Sequence, residues 1–156
     1  MTDMIERDHF LNPFFDLLEE TFEGHHSAFL DKGTSLFETL EGINAGQASI
    51  PVGGKCASLA AQVTHVTFYL ELLERIILNQ QTGEVDWGEI WRTVEAVTPE
   101  QWQALRDGLK QAYARINQLL RANPTWNEES ISGALAIVVH TAYHLGEIRQ
   151  ALCVLR

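Results

Sequence analysis

Apolar residues recur at three- and four-residue spacing over four stretches of this chain, and no alternating pattern competes with them. The pattern predicts an all-α protein. In the first stretch Phe14, Leu17, Leu18 and Phe22 share one face. Asn12-Pro13 reads as an N-cap followed by proline at the first helical position, and Gly24 as the end. From 25 to 54 the pattern is less regular: SLFETLEGI is a short helical piece, and the PVGG run at 51–54 closes the segment. A second helix is expected from about Cys56 to Asn79. Its inward stripe is Leu59, Gln62, His65/Val66, Tyr69, Leu72/Leu73 and Ile76. The connection over 80–97 holds Trp87 and Trp91. It is long for a tight hairpin, so the helices it joins need not be antiparallel neighbours.

The third helix has the clearest start. Thr98-Pro99-Glu100-Gln101 reads as a capping box with proline in the first turn, and Val97 and Trp102 are spaced as a hydrophobic staple around it. Trp102, Leu105, Leu109, Tyr113, Ile116 and Leu120 form its stripe, and Asn123-Pro124 ends it. The fourth helix is expected from Asn127 to about Val154, with Glu128 and Glu129 at the positive end of its dipole. Its middle, ALAIVVHTAYHL, is apolar on most sides. That predicts burial on more than one face, either centrally or against a second subunit. The expected architecture is a four-helix bundle in which 1–156 is a single domain.

Composition narrows the class. The 156 residues are 46% hydrophobic, enough for a core without disulfides. The formal charge of −10 opposes phosphate backbones and anionic lipid, so neither nucleic acid nor membrane is an expected partner. MTDMIERDHF has neither a basic n-region nor an apolar run, and the longest strictly apolar stretch, Ala134 to Val139, is too short to span a bilayer. A soluble cytoplasmic protein is expected. Cys56 and Cys153 stand in no metal or redox spacing and read as two buried free thiols in a reducing compartment.

The candidate chemistry lies in VVHTAYHLGEIRQ. His140 and His144 are four residues apart, about 40° apart in direction, so they share one helix face a turn apart. Two imidazoles so placed can lean toward one divalent ion. The spacing alone says little: six histidines placed at random would give roughly 0.2 such pairs. Two core histidines hydrogen-bonded to their neighbours would look the same. Yet two imidazoles on an apolar helix need several polar partners, which this helix hardly offers. His65 lies on the inward stripe of the second helix, and bundles build metal sites from facing helices. Three histidines would leave coordination positions open, the arrangement of a catalytic site.

Other metal chemistries fit less well. A zincin motif requires glutamate directly after its first histidine, where Thr141 stands. Glu6-x-x-His9 and Glu23-x-x-His26 match the short di-iron motif but fall in one N-terminal segment, the second interrupted by Gly24. The GGK at 53–55 lacks the spacing of a phosphate loop. His9 reads as a surface residue, and His25 and His26 as solvated loop residues. Arg92, Arg106 and Arg115 are not distinguishable from ordinary surface charges.

QVTHVTFYL and HTAYHLGEIRQ, with FFDLLEETFEG, SLFETLEGINAGQASIP and WQALRDGLKQAYARINQLL around them, make the chain resemble the DinB-like, or YfiT-like, metal-dependent hydrolase family over nearly its whole length. The resemblance implies a four-helix bundle with a crossover between its second and third helices. It implies one divalent ion, nickel or zinc, on His65, His140 and His144, and a homodimer. It also implies hydrolysis or thiol-dependent transfer on a small molecule, the latter with a low-molecular-weight thiol. The chain departs from the family at Glu147, where glutamine often follows the H-x-G. Glu147 lies on the histidine face and is the candidate catalytic residue. Its open roles are general base, fourth ligand or acceptor behind a ligand, beside that of an ordinary solvated or salt-bridged glutamate. Gly146, unfavourable inside a helix by about 1 kcal/mol, suggests close approach of another helix, from this chain or a second subunit.

An ion on three neutral histidines keeps its charge and can polarise a substrate oxygen or hold a thiolate. Tyr69, Trp91 and Trp102 are candidate pocket walls. The competing reading is a non-catalytic metal- or small-ligand-binding bundle related to stress.

Overall fold

A computed structural model describes residues 5–24, 26–54, 56–80 and 83–155. The first four residues of the N-terminal segment, His25 and Lys55 of the GGK run therefore lie outside the described residues. Seven α-helices and one short 3-10 turn occur among the described residues, with no strand. The chain is all-α. It divides into two compact units, Met1–Glu41 and Gly42–Arg156.

The first unit contains α1 (Arg7–Phe22) and α2 (Leu36–Glu41). The sequence places the start of α1 at Pro13; the helix in fact begins two turns earlier, with Pro13 inside it. Proline has no N–H to donate back to the His9 carbonyl, which ordinarily disfavours the preceding turn. Apolar packing overrides this. Leu11 is buried, and Phe10 stacks on Phe14 with ring centroids 6.1 Å apart, so the apolar stripe runs on through the proline. The α2 helix matches the expected SLFETLEGI piece, and its Phe37 meets Phe22 of α1 at 5.8 Å.

Glu20, on α1, is fully buried. Its carboxylate accepts the backbone N–H groups of His26, Ala28, Phe29 and Leu30 at 3.0–3.3 Å. Burial alone would raise its pKa, but the four donors outweigh burial and hold it below the ordinary 4.5. One charged side chain thus organises the segment after α1.

The second unit holds α3 (Ala45–Ala48), α4 (Leu59–Ile77), α5 (Glu89–Thr93), α6 (Pro99–Ala122) and α7 (Glu128–Leu152). Side-chain chemistry sets the starts. Ser58 accepts the Ala61 N–H and caps α4, so the helix begins past Cys56. Thr98 and Gln101 form the expected capping box on α6, and Asn127 pairs with Ser130 on α7. The short α3, capped by Asn44 and Gln47, and α5 were not legible in the hydrophobic pattern. Each is too short to show a helical period.

The core of this unit lies between α4, α6 and α7, with Val63, Leu70, Leu109, Ile116, Ile137 and Ile148 buried. Ile76 and Ile77 at the end of α4, Leu119 and Leu120 at the end of α6, and Ser130 and Ala134 near the start of α7 line one cavity. So α4 and α6 run parallel, with α7 antiparallel to both. An α4 of 19 residues is about 28 Å long, which is why the chain needs a long return through α5 before α6 can start. Trp102 anchors that start: its indole N–H donates to the Ile43 carbonyl at 2.7 Å, and both residues are buried.

One expectation, that of the cysteines, is corrected here. Cys56 and Cys153 are free but exposed, because Cys56 falls in the turn before α4 and Cys153 caps α7 beyond its last buried turn. The α7 helix is not covered on all sides: Leu135, Val139 and Tyr143, four residues apart, are exposed. Gly146 continues that stripe, and a Cβ there would meet no heavy atom within 4 Å, so no close approach among the described residues explains it. No helix among the described residues is long and apolar enough to cross a membrane.

Candidate metal centre

The antiparallel pairing of α4 and α7 builds the site. Gln62, His65 and Tyr69 lie on one face of α4, at spacings of three and four. His140, His144 and Glu147 lie on one face of α7 in the same way. The faces meet in reversed order: Gln62 contacts Glu147, His65 lies against His144 and His140, and Tyr69 stacks on His140. Each helix supplies only part of the cluster, and the register between them completes it.

One ring nitrogen from each of His65, His140 and His144 lies within 4.8 Å of the others, the only such group of three potential metal-binding side chains containing no exposed member among the described residues. The Nε2 atoms of His65 and His140 are 3.1 Å apart. Two nitrogens bound at about 2.0–2.1 Å to one ion are separated by about this span, so the pair fits a shared divalent ion. The Nδ1 atoms of His65 and His140 are buried with no hydrogen-bond partner among the described residues. His144 differs: its Nδ1 lies 2.5 Å from Gln62 Oε1 and 3.0 Å from Glu147 Oε2.

Burial favours the neutral form of the imidazoles. Burial lowers the pKa of all three, and for His140, where neighbouring His144 and His65 add to burial, it falls to about 4. Neutral imidazole is the form that binds metal. Burial would raise the Glu147 pKa, but hydrogen bonds from Tyr143 and Gln62, followed by His144, bring it below the ordinary value. The site therefore combines three imidazoles whose neutral form is favoured with one carboxylate.

Aromatic rings surround it. Tyr69 lies on His140 with centroids 3.8 Å apart, and Trp91 of α5 lies 4.5 Å from His65. A cavity of about 810 Å³ adjoins the cluster, walled by Trp91, Gln62, Tyr143, His144, Glu147 and Ser58 among others. Two of the expected walls, Tyr69 and Trp91, are thus at the site; Trp102 is not, being held in the core by Ile43. Glu147 is at the site, beside the Nδ1 edge of His144. His9 is exposed, and His26 lies in the first unit, 3.3 Å from Glu19. Arg92 pairs with Asp86, and Arg115 with Glu71 and Glu74.

Gln62 is the functional residue that sequence reasoning missed. Its signal was present: a polar amide on an otherwise apolar inward stripe, three residues before His65. What one helix's pattern could not supply was the identity of its partner on α7. No family model, curated protein or solved structure matches this chain.

Proposed function

We propose that this chain is a metal-dependent enzyme of the DinB-like family, with His65, His140 and His144 holding one divalent ion, nickel or zinc. The observation that carries this reading is the convergence of three buried or half-buried neutral imidazoles from two helices on one point. A bound divalent ion there would supply Lewis acidity toward a substrate oxygen or stabilise the thiolate of a low-molecular-weight thiol. The chain's own residues would do the rest. Trp91 and Tyr69 restrict water at the cluster, while Tyr143 and Ser58 offer hydroxyls to a small molecule in the adjoining cavity. Hydrolysis and thiol-dependent transfer are the two reactions this set can support.

The reading includes a cytoplasmic four-helix bundle with a crossover before α6, and a homodimer. The exposed stripe of Leu135, Val139 and Tyr143 supports the dimer. One observation favours the alternative, a non-catalytic metal- or small-ligand-binding bundle: Trp91 lies over His65, which is itself buried.

The test is a turnover screen of protein loaded with nickel or zinc. Small esters and amides are offered in one arm, and a low-molecular-weight thiol with an electrophilic acceptor in the other. Chelator-sensitive turnover in either arm supports the enzyme. Loaded protein that turns over nothing in both arms favours the binding module.

A further inference from the structure

We propose that Glu147 and Gln62 are positioning residues acting through His144: together they keep its Nδ1 protonated and aim its Nε2 lone pair at the point between His65 and His140. This rests on the metal-site reading above and assigns Glu147 one of its open roles, that of an acceptor behind a ligand.

Donors and acceptors around His144 fix its hydrogens. The two groups on His144 Nδ1 are the amide oxygen of Gln62 at 2.5 Å and a carboxylate oxygen of Glu147 at 3.0 Å. Neither can donate there, so Nδ1 must carry the hydrogen. The amide orientation is fixed independently, because Gln62 Nε2 donates to the same Glu147 oxygen at 3.0 Å. Turning the amide over would set its oxygen against a carboxylate and its NH₂ against the ring N–H. Gln62, Glu147 and His144 thus close a triangle that has only one consistent assignment of hydrogens. In that assignment Nε2 is left with its lone pair.

The carboxylate is held by the Gln62 amide and addresses the ring edge of His144 opposite Nε2. From that edge Glu147 is placed to orient and enrich the imidazole rather than to join the three nitrogens as a ligand. His65 and His140 have no equivalent: their Nδ1 atoms have no partner among the described residues. Among the described residues, His144 is the one of the three whose tautomer the protein dictates. Carboxylates in this position raise the basicity of the ligand they touch, and their removal weakens metal binding.

The test uses the full chain with zinc as the probe. In metal-free wild-type protein, the ¹⁵N spectrum of the imidazoles should show His144 with a protonated Nδ1 and an unprotonated Nε2. Competition with a chelating indicator should show that Glu147→Ala binds zinc about 10- to 100-fold more weakly than wild type. Glu147→Gln should regain part of that loss, because its amide oxygen can still accept from Nδ1. A purely structural glutamate would lower the melting temperature of Glu147→Ala and leave zinc affinity unchanged. Equal zinc affinity in wild type and Glu147→Ala, or a His144 ring protonated at Nε2, overturns the inference while leaving the metal site standing. A wild-type chain that binds neither zinc nor nickel overturns both. If Glu147→Ala fails to fold, the wild-type tautomer decides.

Discussion

Replacing Glu20 tests how strongly one buried carboxylate holds the segment after α1. Its side chain accepts four backbone N–H groups, from His26, Ala28, Phe29 and Leu30. In Glu20→Ala all four lose their acceptor. A buried donor without a partner costs about 1–3 kcal/mol. The segment is largely exposed, so its amides can rehydrate and the low end applies. At about 1 kcal/mol each, the loss is about 4 kcal/mol. Native-state hydrogen exchange at the amides of 28, 29 and 30 should then accelerate by roughly 10³-fold, at 1.4 kcal/mol per factor of ten. Acidification should act in the same direction. The folded pKa of Glu20 is depressed, so its contribution is fully present above the ordinary 4.5 and is lost as pH falls through the lower folded value. Protection within about threefold of wild type would refute the claim that this carboxylate organises the segment.

Other expectations follow from single contacts. Trp102→Phe removes the N–H that reaches the buried Ile43 carbonyl, a loss of about 1–3 kcal/mol, and should lower the melting temperature by about 2–10 °C; an unchanged melting temperature would contradict the anchoring role. Cys56 and Cys153 should both react with a disulfide reagent in the native protein, at rates close to those in denaturant, and protection of either would contradict its exposure. If the α7 stripe is the dimer face, Val139→Lys should shift the mass measured by light scattering from dimer to monomer. A dimer untouched by that change would place the interface elsewhere.

What the sequence made legible follows from the range over which each signal acts. Capping is local, so Thr98-Pro99-Glu100-Gln101 located the start of α6 to the residue. Periodicity over five or more turns exposed α4 and α7 and put His65, His140 and His144 on inward faces. The start of α1 was misplaced because Asn12-Pro13 is a good local start signal, while Phe10 and Leu11 pack ahead of it within the same helix. Cys56 and Cys153 were misjudged because residue type favours burial, whereas their places at a turn and a helix end decide it. The partnership of Gln62 with Glu147 and His144 was out of reach, since it depends on the register of two helices more than 80 residues apart in sequence.

Three imidazoles on α4 and α7 are proposed to hold one divalent ion. The most direct test is the metal content of untagged purified protein by mass spectrometry, beside a His140→Ala/His144→Ala variant. Close to one nickel or zinc per chain is expected in the wild type and none in the variant. Wild-type protein that holds no ion, even after reconstitution with nickel or zinc, would contradict the proposal and leave His65 and His140 as core histidines bonded to one another.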